Sequence, residues 1–440
     1  MAASATTAEG RIGEAAPRTD VLAWISVGGW AAAILATHLW GRWLQARGYR
    51  LWQNAPPLTG HLDPRLPAVA LGAAVLGIAG IAFGPRLADR LVWRRLLWAT
   101  FLAAVAWAVA LALVDGPGGL IRSPSSVRDY LYGLPLVGSP GSFLDHFTEH
   151  IGGYPTHLRA HPPGMTLLLW AFDRLGLSGP WWVAGLEIAG GASASVAALI
   201  ALREVAGEDR AQVAAPFLAF APAAVTMASS GDAFFAGVGA WSVASLVLAT
   251  GRDGRRADGL SILGGVLFGA TIFLSYGLVL LAAIPVAVAI ARRQVRPLLV
   301  AAAGTAAVVL AFLGAGFWWV DGFLATRVQY LASVARDRPS FYFVLANLAA
   351  FAIVLGPAAM AGLPRLRDRP VWLLVGGALV AVALADLSGM SKAEVERIWL
   401  PFVPWVLVAT AALPRPERRA WLTLTVTAGL ALQLQVRMPW

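Results

Sequence analysis

Long apolar runs alternate with short polar connectors along most of the chain. Most runs hold roughly 17 to 25 residues, which is long enough for a helix to cross the ~30 Å hydrocarbon core of a bilayer. The runs are continuous and do not alternate apolar with polar residues, so helices are expected rather than the strands of a barrel. The pattern predicts an all-α, polytopic transmembrane bundle.

We predict about thirteen spans from the apolar runs. They cover residues 21–44, 66–83, 96–114, 180–202, 211–227, 232–250, 259–276, 277–290, 297–318, 341–363, 371–387, 398–413 and 421–434. At Ser275-Tyr276-Gly277 one long run either breaks into a hairpin or continues as a single helix. The spans form one transmembrane domain over 21–440. Residues 1–20 are small and mixed in charge, and they are expected to form a disordered cytoplasmic tail.

The basic residues lie in short clusters between the apolar runs. They give the chain a net charge of +10, but anionic lipid headgroups explain clusters in such positions better than nucleic acid does. Membrane lipids are therefore predicted partners, and nucleic acid is not. The chain has no cysteine, which excludes disulfides and thiolate metal sites.

The basic clusters also predict the orientation in the cell membrane. With the N-terminus in the cytoplasm, the connectors RRQVR, PRLRDR and PRPERR fall inside, as the positive-inside rule requires. The polar segments 115–164, 229–232, 321–337 and 388–397 then all lie on the external face. We therefore predict a multi-pass membrane protein whose active site is external.

Residues 115–164 form the largest polar segment of the chain. They contain the densest group of titratable side chains in the sequence. They include Asp115, Asp129, Asp145, Glu149 and four of the six histidines. Such a concentration beside one membrane face is where chemistry is expected. The apolar stretch 165–175 follows, and at ~1.5 Å per residue it covers only about half of the bilayer core. It predicts a juxtamembrane helix.

From His161 onward the chain resembles GT-C integral-membrane glycosyltransferases related to protein mannosyltransferases and aminoarabinose transferases. These proteins typically show a His-Pro-Pro start, a turn of Gly-Arg type, a Ser-Pro or Ala-Pro in the next span and an Asp that opens the following span. The corresponding residues here are His161 to Pro163, 207–210, Ala221-Pro222 and Asp232. The acidic loop motif of the family, commonly Asp-Glu before Tyr, is represented by Asp129-Tyr130 without the acidic pair.

The resemblance implies a GT-C-like fold in which 115–164 is a large catalytic external loop. It implies transfer of a sugar from a polyprenyl-phosphate donor to a glycan, lipid or protein acceptor. In such a reaction a carboxylate takes the acceptor's proton while cations stabilise the departing phosphate. Asp129 is the first candidate for the base and Asp115 the second. Asp232 would orient the base or hold a divalent cation, Mg or Mn, although the need for a metal stays open.

Five further residues are candidates for binding the substrate. His157, Arg159 and His161 are expected to bind the phosphate or the sugar, and Lys392 and Arg397 to grip the carrier's phosphate. Simpler interpretations stay open beside these roles.

Asp115 would be a turn residue, Asp129 a solvated loop residue and Asp232 a helix cap. The two basic residues near 392–397 would be solvated, and His161 would cap the helix after it.

Other interpretations of the chain remain to be weighed. The pattern His146-x-x-Glu149-His150 also occurs in zinc peptidases, but it is short enough to arise by chance. Glu187 lies inside a span, where an acid is costly unless it is paired, for example with Arg174. The main functional alternative is a transporter or flippase for a lipid-linked or anionic substrate, which would place polar groups near the midplane on broken helices. A catalytically silent scaffold is the third.

Overall fold

The computed structural model describes residues 16–439. Residues 1–15 of the predicted tail lie outside the described part of the chain, and the first helix begins at Ala16. Three long helices come first: α1 (Ala16–Ala46), α2 (Ala70–Arg90) and α3 (Trp93–Ala112). The connector between α1 and α2 contains β1 (His61–Leu62), which pairs antiparallel with β2 (Val436–Arg437) near the other end of the chain. This pairing holds the connector against the last helix.

The segment 115–164 folds into short helices because prolines and glycines interrupt it every few residues. These helices are α4 (Gly118–Ile121), α5 (Tyr130–Gly133), α6 (Pro140–Asp145), α7 (Phe147–His150), α8 (Thr156–Ala160) and α9 (Gly164–Arg174), with 3-10 turns at Leu113–Asp115, Leu134–Leu136 and Ile151–Gly153. Phe147 is fully buried and packs on Phe143, Tyr154 and Phe317. The segment therefore has its own apolar core on one end of the bundle.

The middle of the chain supplies the central helices. They are α10 (Pro180–Ala206), α11 (Glu208–Ala219), α12 (Gly231–Ala249), α13 (Gly254–Leu274), α14 (Ala283–Arg292) and α15 (Arg296–Gly314), with 3-10 segments at Pro222–Ser229 and Tyr276–Ala282. Helix α11 and the segment Pro222–Ala228 meet at 57°. Ala221 is extended, as a residue before proline prefers, and Pro222 has no N–H to continue the helix. The bend leads the chain directly into the start of α12.

Seven helices complete the chain. They are α16 (Trp319–Ala332), α17 (Ser340–Leu355), α18 (Pro357–Gly362), α19 (Arg369–Leu387), α20 (Val395–Ile398), α21 (Val403–Leu407) and α22 (Arg418–Gln435), with 3-10 turns at Val334–Arg336, Leu363–Arg365, Leu400–Phe402, Val408–Ala412 and Arg415–Glu417. A bend of 97° separates α17 from α18. Gly356 makes it at φ 78°, a conformation that favours glycine, and Pro357 follows.

The predicted all-α, polytopic architecture is confirmed, but the count of thirteen spans is not. In the described residues eight helices are long and apolar enough to cross a membrane, or up to ten if each bent pair is one span. Two predicted spans, 277–290 and 398–413, are shorter apolar helices over Tyr276–Arg292 and Leu400–Ala412. Of the two alternatives left open near Ser275, the run does not continue as a single helix, because Ser275 is extended between α13 and the 3-10 segment.

Helices α10 and α12 cross in close contact at the centre of the bundle. A Cβ atom on Gly237 would lie 2.5 Å from the carbonyl oxygen of Gly190, and one on Gly190 would lie 2.6 Å from the Cα of Phe234. Only glycine allows the two backbones to approach this closely. The crossing fixes the two helices relative to each other just below the candidate site.

The polar segments meet at one end of the bundle, as the sequence predicts. Arg397 contacts Asp232, and Thr326 on α16 donates to the carbonyl of Arg159 on α8. The opposite end is joined by separate ion pairs at or near helix ends, Arg292 with Glu204, Arg418 with Asp89 and Arg210 with Asp368. The fold therefore gathers 115–164, 319–338 and 388–397 around one cluster.

Candidate active site

Asp129 lies at the start of α5 and is fully buried. Its carboxylate accepts hydrogen bonds from the Tyr130 amide at 2.7 Å, the Ser123 hydroxyl at 3.0 Å and His157 Nδ1 at 3.0 Å. Three donors satisfy a buried carboxylate well. Asp129 is thus held rigidly, with no face open to an acceptor.

His157 lies between Asp129 and the outside. Its side chain is 14% exposed, whereas that of Asp129 is 0% exposed. Within residues 16–439 no protein group bonds to its second ring nitrogen, Nε2. A carboxylate on one ring nitrogen fixes the tautomer and leaves the other free to take a proton. His157 Nε2 is therefore the accessible nitrogen of the pair, and Asp129 orients the imidazole ring.

Asp232 begins α12 and is buried beside Arg397. Its backbone N–H donates to the Ser230 hydroxyl oxygen at 3.0 Å, so the helix cap is Ser230 and not Asp232. One nitrogen of the Arg397 guanidinium donates to Asp232 Oδ2 at 2.8 Å and another to Glu394 Oε2 at 2.7 Å. Burial lowers the pKa of Arg397, but Glu394 and Asp232 raise it more strongly, so the net direction is upward. The three side chains form one ion-pair group.

A residue from the α1–α2 connector enters this group. The Thr59 amide donates to Glu396 Oε1 at 2.9 Å, and its hydroxyl oxygen accepts the Glu394 amide at 3.1 Å. Glu396 is fully buried, and its Oε2 has no hydrogen-bond partner in the described part of the chain. Burial raises the pKa of Glu396 to about 7. Sequence reasoning missed Thr59 and Glu396, because a connector threonine and a loop glutamate carry no local signal.

Tyr130 connects the loop to the membrane helices. Burial raises its pKa well above the usual value; the charges of Asp232, Asp129 and Glu187 raise it further and Arg397 opposes. These four charged groups therefore surround one phenol ring. Its hydroxyl is buried and has no partner among the described residues.

Glu187 on α10 is the deepest acid of the cluster. It is fully buried, and neither carboxylate oxygen has a hydrogen-bond partner in the described structure. Arg174, named above as one possible partner, does not pair with it, because that guanidinium lies 5.1 Å from the centroid of the Trp170 ring. Glu187 is thus an intramembrane acid next to the site without a structural partner.

The His161 imidazole packs against aromatic rings inside the cluster. Its ring lies 5.9 Å from that of Tyr130 and 5.6 Å from that of Phe235, and its Nδ1 donates to the His157 carbonyl at 2.9 Å. Burial lowers the pKa of His161 to about 4, against the opposing charge of Asp232. A neutral imidazole provides no charge for a phosphate, so His161 is better explained by packing than by the predicted phosphate contact.

The predicted cations differ in what they are free to bind. Lys392 Nζ donates to the carbonyls of Arg338 at 3.0 Å and Ala335 at 3.3 Å, so it ties two external segments together. Arg397 is held by its two carboxylates. Arg159 is half-buried, and its guanidinium bonds to no protein group in the part of the chain that the structure describes. Arg159 is therefore the predicted cation best able to bind a phosphate.

Asp115 belongs to a different group of contacts. Arg65 Nε donates to it at 2.9 Å, Arg122 at 3.4 Å and Gln433 at 3.4 Å. The carboxylate thus joins the α1–α2 connector and the loop to α22. Two arginines therefore hold the carboxylate in ion pairs. The structure favours a structural role for this second candidate base.

The described residues do not assemble an evident metal site. No group of three His, Cys, Asp or Glu side chains within 16–439 is arranged to hold an ion. The rings of His146 and His150, from the zinc-peptidase pattern, stack with centroids 5.9 Å apart. Asp232, the predicted ligand of a divalent cation, is occupied by Arg397.

Comparison with known proteins gives one structural similarity to report. No family model matches the chain, and no curated protein sequence matches it. Among solved structures, ArnT from Cupriavidus metallidurans in the apo state is similar, with a TM-score of 0.41 and 18% identity over 62% of this chain and 54% of that one. The chain thus spans about half the length of that protein. A TM-score of 0.41 is too low for functional inference.

Proposed function

We propose that this protein is a membrane glycosyltransferase that moves a sugar from a polyprenyl-phosphate donor to an acceptor hydroxyl on the external face of the cell membrane. The observation that carries the proposal is the Asp129–His157 pair, whose carboxylate is buried and whose imidazole is partly exposed. This pair lies where the polar loop meets the membrane helices. A base in that position can reach a donor whose hydrocarbon chain stays in the lipid.

The chemistry needs one proton acceptor and one cation. The acceptor hydroxyl gives its proton to His157 Nε2 as its oxygen attacks the anomeric carbon, and the bond from that carbon to the phosphate oxygen breaks with its electron pair on the phosphate. Asp129 remains ionised and stabilises the imidazolium. Arg159 binds the departing phosphate, for which a planar guanidinium is well suited. His157 and Glu394, whose side chains are 14% and 29% exposed, mark the entrance.

A transporter or flippase is the second candidate. The two bent helix pairs and the unpartnered Glu187 are features that such proteins use at their binding sites. The charged cluster, however, lies at one end of the bundle, since Asp232 is in the first turn of α12 and Arg397 precedes Leu400–Ala412. That position favours an enzyme over a midplane transport site.

The test uses purified protein in nanodiscs with a panel of radiolabelled polyprenyl-phosphate sugars. We expect the wild type to transfer the sugar or slowly hydrolyse a donor, and His157→Gln and Asp129→Asn to lower the rate about 100-fold or more. Asp145→Asn is the matched control, because Asp145 lies in the same loop with its side chain 67% exposed. Melting curves establish that each variant is folded. If no donor is turned over while a lipid-linked substrate crosses proteoliposomes, the transporter is the correct function.

A further inference from the structure

Glu187 is a buried acid for which the folded chain provides no hydrogen-bond partner. It lies in α10 with 0% exposure, and both carboxylate oxygens lack a partner among the described residues. Burial of an acid without a partner costs stability, whether the group is charged or neutral. A residue that is costly to fold is expected to serve a ligand.

The position of Glu187 connects it to the proposed site. It lies seven residues after Pro180, the first residue of α10, so it is about 10 Å into the helix at ~1.5 Å per residue. One turn further, the contact between Gly190 and Gly237 joins α10 to α12. This crossing fixes Glu187 relative to Asp232. Glu187 therefore lies at the buried end of the cluster, and His157 lies at its exposed end.

Tyr130 provides a second unsatisfied polar group in the same cluster. The Tyr130 hydroxyl is buried without a partner in the described chain, and its pKa responds to the charge of Glu187. The Tyr130 ring lies 5.8 Å from that of His157, so the proposed base and the two unsatisfied groups belong to the same cluster. A ligand with several hydroxyls supplies the donors and acceptors that both groups need.

Glu204 provides a contrast within the same helix. Its carboxylate pairs with Arg252 at 3.0 Å and Arg292 at 3.5 Å at the opposite end of the bundle. The chain therefore pairs an acid on α10 where the role is structural. Glu187, at the site end of the same helix, has no such ion pair among the described residues.

We infer that Glu187 binds the sugar of the donor, with its two carboxylate oxygens accepting hydrogen bonds from hydroxyl or ammonium groups on the ring, and so sets sugar specificity. The inference rests on the proposed glycosyltransferase function. A carboxylate built to accept these bonds discriminates strongly against a ring that lacks the group it binds, because the oxygens are then left unsatisfied.

The first measurement needs no donor and compares Glu187→Met with Glu204→Met in detergent. Methionine has a similar length and no polar group, so it removes the unsatisfied carboxyl at 187 and the ion pairs at 204. We expect the melting temperature to rise for Glu187→Met and to fall for Glu204→Met. A fall for Glu187→Met would reveal a structural role and overturn the inference.

The second measurement compares donors by competition binding. The probes are polyprenyl-phosphate glucose and its 2-, 3-, 4- and 6-deoxy analogues, or the epimer series of whichever donor the wild type turns over. Loss of a good hydrogen bond corresponds to about a tenfold loss of affinity. We expect Glu187→Met to weaken the parent donor by about this factor, with no further loss for the analogue that lacks the bound hydroxyl.

The outcomes separate this inference from the proposed function. Equal weakening of every analogue, or an unchanged donor preference in a variant that still transfers sugar, overturns the role of Glu187 alone. Failure of the wild type to bind any polyprenyl-phosphate sugar overturns both. Stabilisation by Glu187→Met together with a changed sugar preference supports both.

Discussion

Glu396 and His161 are predicted to make stability respond to pH in opposite directions. Burial raises the pKa of the Glu396 carboxyl from 4.5 to about 7, with the Thr59 amide opposing. The folded protein therefore holds this proton more tightly than the unfolded chain does. Its contribution to stability is fully present below pH 4.5 and is lost as the pH rises through about 7. The difference corresponds to about 3 kcal/mol of unfolding free energy.

His161 has the opposite effect. Burial lowers its pKa from 6.5 to about 4, while Asp232 and the His157 carbonyl oppose this. Its contribution to stability is therefore present above pH 6.5 and is lost as the pH falls through about 4, again by about 3 kcal/mol. Between about pH 4.5 and 6.5 the two contributions largely cancel in the wild type.

Two variants separate these contributions. Glu396→Gln removes the acid but keeps an oxygen for the Thr59 amide, and His161→Phe fills the space between Tyr130 and Phe235. Relative to wild type, we expect Glu396→Gln to gain about 3 kcal/mol between pH 4.5 and 7.5. We expect His161→Phe to gain a similar amount as the pH falls from 6.5 to 4.

Denaturation in detergent at several pH values measures both differences. Glu149→Gln is the control, since Glu149 is exposed in the same loop and should show no such slope. Subtracting the wild-type curve at each pH removes the titration of all other groups. If Glu396→Gln follows the wild-type curve to within about 1 kcal/mol from pH 4.5 to 7.5, the burial of Glu396 does not determine its protonation and the reasoning fails.

Three further predictions concern single contacts of the site. Thr59→Ala removes the acceptor for the Glu394 amide and should slow transfer several-fold. Thr59→Ser keeps a hydroxyl and should restore the transfer rate. Equal rates for the two variants would contradict a positioning role. Arg159→Gln should lower kcat/KM for the donor about tenfold, with a fall in kcat because the departing phosphate loses its cation, and an unchanged kcat/KM would contradict this role. Asp115→Asn leaves Arg65 without its charge partner and should lower stability by about 3 kcal/mol without changing kcat; a large loss of kcat in folded protein would return Asp115 to the catalytic candidates.

Much of the fold could be predicted because length and hydropathy are local properties. The eight helices that could span a membrane all coincide with predicted apolar runs. The bends could not be predicted, since Pro222 and Gly356-Pro357 lie inside runs that stay apolar on both sides. Hydropathy averages over such positions, whereas the backbone breaks there for lack of an N–H donor.

The site was predictable where a motif carried it and not where it depended on distant contacts. Asp129 and Asp232 were identified from the motifs through which the chain resembles GT-C glycosyltransferases, and both are in the cluster. Thr59 and Glu396 meet across 337 positions of sequence, a distance over which no local pattern operates. Arg397 was identified as a cation, but its pairing with Asp232 and Glu394 depends on how α12 and the 388–397 loop pack.

The acids of the cluster fall into two groups according to their partners. Asp232 and Glu394 share Arg397 and stabilise the ligand-free site. Glu187 and Glu396 Oε2 lack partners within the described chain, so the cost of burial is concentrated on them. Natural proteins tolerate such cost at positions where function requires it. Under the proposed function we expect substrate binding to complete the hydrogen bonding of this site, and we expect variants that remove these two carboxyls to gain stability as they lose function.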